Sequence, residues 1–181
     1  MLDSLRAITQ EVNSAASVRS AMEIIVQRIR TTMHTQVCSV YLRDPQGDFV
    51  LRATEGLLPE SVGQVKMNLH EGLVGYVAKR GEPINLENAE AHSRYHYFPE
   101  TGEERFTSFL GVPIVHQREV LGVLTVQQSH RRRFDDDEEA FLVTISAQLS
   151  GIIAHAEAIH GAEEIDDTGV DLRFKGVAGS P

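Results

Sequence analysis

The hydrophobic period of the sequence changes at Val37, and this change limits the folds that the chain can adopt. Before it, apolar residues recur three or four positions apart in two stripes: Leu2, Leu5, Ile8 or Thr9, and Val12, then Val18, Met22, Ile25, Ile29 and Met33. That spacing lines one face of a helix. From Val37 to Leu42 the period is two, which is typical of a strand with two different faces. The pattern predicts two opening helices and then a sheet.

Turn and stop signals delimit the next elements. Residues 44–48 combine proline with glycine ahead of a second strand at 49–51, which predicts an antiparallel hairpin. Residues 72–80 are predicted to form a short helix, because Gly81 suits a helix C-terminus and Pro83 prevents its continuation.

Two further strands are expected in the second half of the chain. A polar stretch at 87–105 precedes apolar runs at 108–115 and 120–128, and a turn at 116–119 joins the two runs. We expect this pair to lie centrally in the sheet.

The closing helix is marked at its start and along its length. Asp135 and Glu138 have the spacing of a capping box, and the acidic first turn complements the helix dipole. Its apolar residues then alternate three and four apart, as Leu142, Ile145, Leu149, Ile152, Ala156 and Ile159. This is the seam of a coiled coil, which predicts a homodimer interface. The alternative is that the seam only covers the sheet.

Composition excludes several classes of function. The chain has 181 residues, a formal net charge of -9 and 41% hydrophobic residues, enough for one core. The acidic balance disfavours nucleic acid as a partner. The lone Cys38 fits a reducing compartment. Because no apolar run approaches the roughly 20 residues of a spanning helix and no signal peptide is evident, we expect a cytoplasmic protein without a membrane partner.

Several motifs in this order resemble the GAF domain family. They are the strand at 38–42, the turn Glu71-Gly72-Leu73-Val74-Gly75, the strands Gly111-Val112-Pro113-Ile114 and Leu121-Gly122-Val123-Leu124, and the closing amphipathic helix. The resemblance covers residues 1–160. It implies an α+β fold in which a central antiparallel sheet of about six strands carries the terminal helices on one face. A ligand pocket is implied under loops on the other face.

Other segments resemble the N-terminal domains of the enzyme I paralogues of the bacterial nitrogen phosphotransferase system. These are 35–42, Glu82-Pro83-Ile84-Asn85-Leu86, 103–106, 109–114 and 138–144. The resemblance implies an acidic linker at 161–172 and the truncated start of a phosphoenolpyruvate-utilising module at 173–181. The phosphorylated histidine would lie beyond this chain, in a parent that uses phosphoenolpyruvate and Mg²⁺ and phosphorylates an HPr-like phosphocarrier. No catalytic residue, metal or cofactor is assigned to the fragment itself.

Strand alternation selects the candidate ligand site. If Cys38, Val40 and Leu42 pack on the helices, the opposite face presents polar groups from two strands, namely Ser39, Tyr41, Thr125 and Gln127. The helix start at Gly72 suits a carboxylate, Arg94 or Arg105 could pair with it, and Glu71 could receive an ammonium group. The resemblance implies glutamine or 2-oxoglutarate as the ligand. Each residue also has an ordinary structural explanation.

Five other functions were considered, and two of them remain as alternatives. His92 and His96 have the spacing of a helical zinc pair, but their segment is expected to be a loop and no third ligand is evident. Cys38 is expected to be an inert buried thiol. One cysteine cannot support the chemistry of GAF-like methionine sulfoxide reductases, and a tetrapyrrole would need a cysteine on a loop. A cyclic-nucleotide site and a ligand-free dimerisation scaffold stay open.

Overall fold

The computed structural model describes residues 1–101 and 106–160. The helices are α1 (Leu2–Asn13), α2 (Val18–Met33), α3 (Gly72–Arg80) and α4 (Asp136–His160). The strands are β1 (Val37–Arg43), β2 (Phe49–Glu55), β3 (Lys66–Met67), β4 (Ile84–Leu86), β5 (Ser108–His116) and β6 (Glu119–Gln128). Single 3₁₀ turns lie at Pro59–Ser61, Ala89–Ala91 and Pro99–Thr101. The predicted helices and four predicted strands are confirmed, while β3 and β4 had no separate sequence signal.

All six strands form one antiparallel sheet in the order β3-β2-β1-β6-β5-β4. β1 and β6 lie at its centre, and their register places Ser39 opposite Thr125. β5 lies one strand further out, so only β6 of the predicted central pair is central. A turn through Gln117 and Arg118, both at positive φ, joins β5 to β6.

One face of the sheet packs on α2 and α4, and α1 packs on these two helices. Cys38, Val40 and Leu42 belong to this core together with Ile25 and Ile29 of α2. The predicted alternation of β1 is therefore correct. Leu110, Val112, Leu124 and Val126 extend the same aliphatic layer along β5 and β6.

The opposite face packs on α3 and the loops. Here Val37 and Tyr41 of β1 join a second core with Phe49, Phe109 and Val123. Gly81 ends α3 in the left-handed conformation at φ 65°, the conformation that glycine adopts without a Cβ penalty. This is the α+β arrangement that the resemblance implies.

α4 begins with the predicted capping box and is tied to the sheet there. The Glu138 amide donates to Asp135 Oδ1 at 2.8 Å, and the Asp135 amide donates to Glu138 Oε1 at 3.0 Å. Arg132 donates to both carboxylate oxygens of Glu138, each at 2.8 Å. Asn85 of β4 donates to the Phe134 carbonyl at 2.8 Å. The entry to α4 is thus fixed to the edge strand beside it.

The predicted dimer seam requires a correction. Leu142, Ile145 and Leu149 are fully buried in the core of their own chain, against the sheet and α2, so they are not available to a partner. Ile152 and Ala156 are partly buried and pack against that same core. The Ile159 side chain lies outside the described residues. The apolar residues do lie along one side of α4, but the sheet covers the first half of that side.

Some predictions fall where the structure gives no description. The linker at 161–172, the module start at 173–181 and the candidate ligand residue Arg105 lie outside the described residues. By length and composition alone, Asp136–Ala158 of α4 is apolar enough to cross a bilayer. The buried residues of its core-facing side account for much of that apolarity.

Candidate functional site

A small cavity of about 40 Å³ lies between the sheet and the elements that cover its second face. β1, β5 and β6 form its floor, the start of α3 forms one wall, and residues 95–101 together with Phe106 cover it. The residues that line it are Tyr41, Met67, Leu73, Val74, Tyr95, His96, Phe98, Thr101, Phe106, Phe109, Thr125 and Gln127. The wall is mainly apolar and aromatic, with a few polar groups directed into it, as is usual for small-molecule sites.

Thr125 supplies the most informative polar group of the cavity. The residue is 1% exposed, and its hydroxyl oxygen has no hydrogen-bond partner among the described residues. A buried polar group without a partner costs about 1–3 kcal/mol. Thr125 therefore offers an unused hydrogen bond inside a lined cavity.

Ser39 lies directly opposite Thr125 in the sheet but plays a different part. Its hydroxyl is 2.9 Å from that of Thr54 on β2, so the two hydroxyls satisfy each other. Ser39 is fully buried and does not line the cavity. Of the predicted strand residues, the structure brings Tyr41, Thr125 and Gln127 together at the cavity. Ser39 instead pairs with Thr54 of β2.

The start of α3 reaches the cavity through its first turn. Gly72 has φ 67°, and a Cβ there would strike Met67 Sδ, so only glycine fits without strain. Leu73 and Val74 line the cavity. Amides of a first helical turn have no partner within the helix, and they favour anions. The first turn of α3 therefore offers backbone amides of the kind that favour a carboxylate.

Arg94 and Glu71 lie outside the cavity wall. Arg94 donates from Nη2 to the Leu69 carbonyl at 2.8 Å, and its guanidinium lies 5.5 Å from the centre of the Tyr76 ring. Glu71 is the N-cap residue of α3 without a side-chain cap, and its carboxylate accepts weakly from the Asn68 amide at 3.5 Å. In this conformation both residues shape the rim of the α3 wall.

Sequence reasoning missed most of the aromatic wall. Tyr95 and Phe98 lie in the stretch interpreted as a polar loop, and Phe106 follows it directly. Three aromatic residues within this loop, Tyr95, Tyr97 and Phe98, were the available signal, because a solvated loop rarely contains so many large apolar side chains. Phe109 could have been found from the alternation of β5, since it lies on the same face as Gly111.

Cys38 and His92 have structural surroundings, whereas His96 lines the cavity. Cys38 is fully buried in the helix-side core, and burial, assisted by the charge of Glu55, raises the pKa of its thiol far above the ordinary value. His92 and His96 lie in a loop, where His92 Nδ1 accepts from the Arg94 amide at 3.1 Å and the His92 ring lies 4.8 Å from the Tyr76 ring. In the part of the chain that the structure describes, no three His, Cys, Asp or Glu residues are grouped as metal ligands.

Sequence comparison places the chain in a family. The model of the GAF domain matches residues 17–153. A curated relative from Escherichia coli (strain K12), named "Phosphoenolpyruvate-dependent phosphotransferase system", is 44% identical over 158 residues, 87% of this chain and 21% of the relative. The chain thus spans about a fifth of the length of the curated relatives that it first matches.

Two solved structures are similar over nearly their whole length. The GAF domain of a phosphoenolpyruvate-protein phosphotransferase from Coxiella burnetii has a TM-score of 0.85 and 43% identity, covering 88% of this chain and 96% of that one. The corresponding GAF domain from Acinetobacter has a TM-score of 0.80 and 46% identity, with the same coverage. The chain therefore belongs to the GAF domain family, and it is similar to the GAF domains of phosphoenolpyruvate-protein phosphotransferases.

Proposed function

We propose that this domain binds a small carboxylate-bearing metabolite in the cavity above β1 and β6 and thereby controls a phosphotransferase to which it is attached. The observation that carries the proposal is the buried, unpartnered hydroxyl of Thr125 inside that cavity. A ligand atom that hydrogen-bonds to this hydroxyl would recover the 1–3 kcal/mol that the isolated group costs. An evolved scaffold without a ligand would gain stability by replacing Thr125 with valine.

The ligand classes proposed are glutamine and 2-oxoglutarate. Both carry a carboxylate, which the first turn of α3 at Leu73 and Val74 can receive. The Gln127 amide and the Thr125 hydroxyl can bind the remaining polar atoms, while Phe109 and Tyr41 contact the aliphatic chain. The choice of these two metabolites rests on the resemblance to the nitrogen phosphotransferase system.

The size of the cavity links binding to a change of conformation. A water molecule occupies about 10–15 Å³ by the same measure, so the 40 Å³ cavity has room for a few waters. Either metabolite is larger. Binding therefore requires the covering segment around Tyr95 and Phe98 to move outward, and a ligand that favours the open form shifts the domain between two states.

The regulated activity belongs to the parent protein. We infer that the parent transfers a phosphoryl group from phosphoenolpyruvate, with Mg²⁺, to a histidine beyond this chain and then to an HPr-like phosphocarrier. Asn85 and Phe134 connect the covered face to α4, which continues toward the rest of such a parent. Movement at the cavity can reach α4 through this contact.

Titration calorimetry of the 181-residue chain with glutamine, 2-oxoglutarate and a cyclic nucleotide tests the binding step. We expect heat with one of the first two, and a rise in unfolding free energy of about 2.7 kcal/mol at a hundred times the dissociation constant. Binding of the cyclic nucleotide alone would contradict this proposal and favour a cyclic-nucleotide site. No binding of any of the three would favour a scaffold.

Thr125→Val tests the role of the hydroxyl in binding, since valine has the same shape without the hydroxyl. The variant should keep its fold and lose at least about tenfold in affinity, equivalent to 1.4 kcal/mol. Unchanged affinity would remove Thr125 from the site. In the full-length parent, the ligand should change the rate of autophosphorylation from phosphoenolpyruvate, and Thr125→Val should abolish that change.

A further inference from the structure

His96 occupies the mouth of the cavity, on the segment that covers it. Its Cβ is 3.9 Å from the place that a Cβ on Gly72 would take, at the first residue of α3. It lines the cavity together with Leu73 and Val74 of that turn, and the centre of its ring lies 4.4 Å from that of Phe98. The residue is also exposed to solvent. His96 therefore lies between solvent and the first turn of α3.

The covering segment is anchored on both sides of His96. Before it, Arg94 Nη2 donates to the Leu69 carbonyl at 2.8 Å. After it, the Leu58 amide donates to the Thr101 carbonyl, also at 2.8 Å. These two contacts hold the closed form of the segment, and in that form His96 is placed over the start of α3.

The wall of the cavity contains no side chain with a fixed charge. Among the described residues that line it there is no Asp, Glu, Lys or Arg. The phenols of Tyr41 and Tyr95 line it as well, but a phenol is either neutral or negative. Histidine is the side chain that ordinarily changes between neutral and positive from pH 5 to 8. His96 is thus the described lining residue that can bring a positive charge to a bound anion.

The other ionisable groups near His96 lie outside the cavity lining. Arg94 and His92, on the segment before it, both contact an aromatic ring of α3. His70 and Glu71 end the loop that precedes α3. A carboxylate close to an imidazole favours its positive form, so Glu71 supports a charged His96, while it repels an anionic ligand.

We propose that His96 binds the carboxylate of the ligand as an imidazolium, together with the first turn of α3. This inference rests on the proposed function and adds the residue that selects an anion. Glu71, the N-cap residue, makes no side-chain cap, which leaves first-turn amides available. The buried, unpartnered hydroxyl of Thr125 shows independently that the same cavity holds an unused polar group.

The charge on His96 links ligand binding to a proton. When the imidazole is neutral before binding, it takes a proton from solvent and keeps it while the carboxylate is bound. Affinity for a carboxylate therefore rises as the pH falls. A residue needed only to cover the cavity would give no such dependence, because the aromatic rings of Tyr95 and Phe98 cover it without a titrating nitrogen.

Titration calorimetry in buffers of different ionisation enthalpy measures this proton directly. The probes are 2-oxoglutarate and glutamine, and the one that binds should show proton uptake near pH 7. It should also bind about tenfold more tightly at pH 6 than at pH 8, since charge-assisted hydrogen bonds are about twice as strong as neutral ones. Carboxylates stay ionised throughout this range, so the probe itself does not cause the change.

Three variants assign the proton to its residue. His96→Gln should keep the fold and lose both the proton uptake and the pH dependence. His92→Asn is the matched control, because it removes a histidine outside the lining and leaves an oxygen that can accept from the Arg94 amide as His92 Nδ1 does. It should retain both effects. Glu71→Gln should retain the proton uptake as well.

The possible outcomes separate this inference from the function on which it rests. Binding without proton uptake, or uptake that survives His96→Gln, would overturn the role of His96 and leave the proposed function standing. Thr125→Val should weaken binding but keep the proton uptake. No binding of either probe between pH 6 and pH 8 would overturn both proposals.

Discussion

The two faces of the sheet use the same strands for opposite purposes. On the helix side, Cys38, Val40 and Leu42 belong to one core with aliphatic residues of three helices, and the large side chains there are buried. On the α3 side, Tyr41 and Thr125 meet aromatic loop residues around an incompletely filled space. One face is optimised for stability, and the other keeps a void and an unpaired hydroxyl.

The difference shows where the domain has given up stability. Protein interiors are close-packed, and both a void and an unpaired buried polar group are destabilising. Both features occur together on one face of the sheet and next to the same residue, Thr125. This coincidence supports the proposed binding site.

The largest effect is expected from truncating a leucine in the helix-side core. Leu149→Ala should lower the unfolding free energy by about 2–5 kcal/mol, because a new cavity opens in a close-packed region. Leu73→Ala removes the same atoms beside an existing cavity and should cost clearly less. Urea denaturation of the two variants measures the contrast, and equal costs would show that the two faces are equally packed.

A smaller effect is expected from adding one methyl group on the α3 side. A Cβ at Gly111 would lie 2.8 Å from the Phe109 ring and 2.9 Å from Val77 Cγ2. Gly111→Ala should push α3 off the sheet and cost about 1–3 kcal/mol, with weaker ligand binding in the same variant. Gly151→Ala, where a Cβ meets nothing within 4 Å, serves as the control and should not destabilise the helix. Equal melting temperatures for both variants would contradict the close contact of α3.

The buried thiol predicts a pH dependence on the helix side. Burial raises the pKa of Cys38, so the folded state holds the proton more tightly than the unfolded state. Its contribution to stability is complete below the unfolded pKa of about 8.5 and declines above it by up to about 1.4 kcal/mol per pH unit. Cys38→Ala should flatten the decline measured by urea denaturation from pH 8.5 to 10. An unchanged slope would show that other groups cause it.

The smallest effect has the opposite sign. Thr125→Val removes an unpartnered hydroxyl from the α3 side and should raise the unfolding free energy of the ligand-free domain by up to about 1 kcal/mol. Thr54→Val is the contrasting variant, because it breaks the hydrogen bond with Ser39 and should be destabilising. A loss of stability in Thr125→Val, measured by thermal denaturation, would mean that its hydroxyl is satisfied in solution.

Local signals predicted the fold well because they act within a few residues. The capping box of Asp135 and Glu138, the glycine stop at Gly81 and the alternation of β1 each depend on near neighbours. The seam of α4 was harder, since periodicity shows that Leu142, Ile145 and Leu149 are covered but not by which element. The sheet of the same chain covers them, and the helix face left open is the other one.

The cavity was only partly predictable because its walls come from distant parts of the sequence. Alternation placed Tyr41, Thr125 and Gln127 on the correct face. Ser39 lies on the same face of β1, but its hydroxyl is hydrogen-bonded to that of Thr54. No local pattern tells which partner a strand hydroxyl finds across the sheet. Tertiary packing of a loop brings Tyr95 and Phe98 to the cavity. A loop has no periodic hydrophobic pattern in the sequence from which this packing could be predicted.

The closure of the cavity by that loop also has a consequence in time. If Tyr95 and Phe98 must withdraw before a metabolite enters, the rate of association reaches a ceiling set by the opening of the loop, however much metabolite is present.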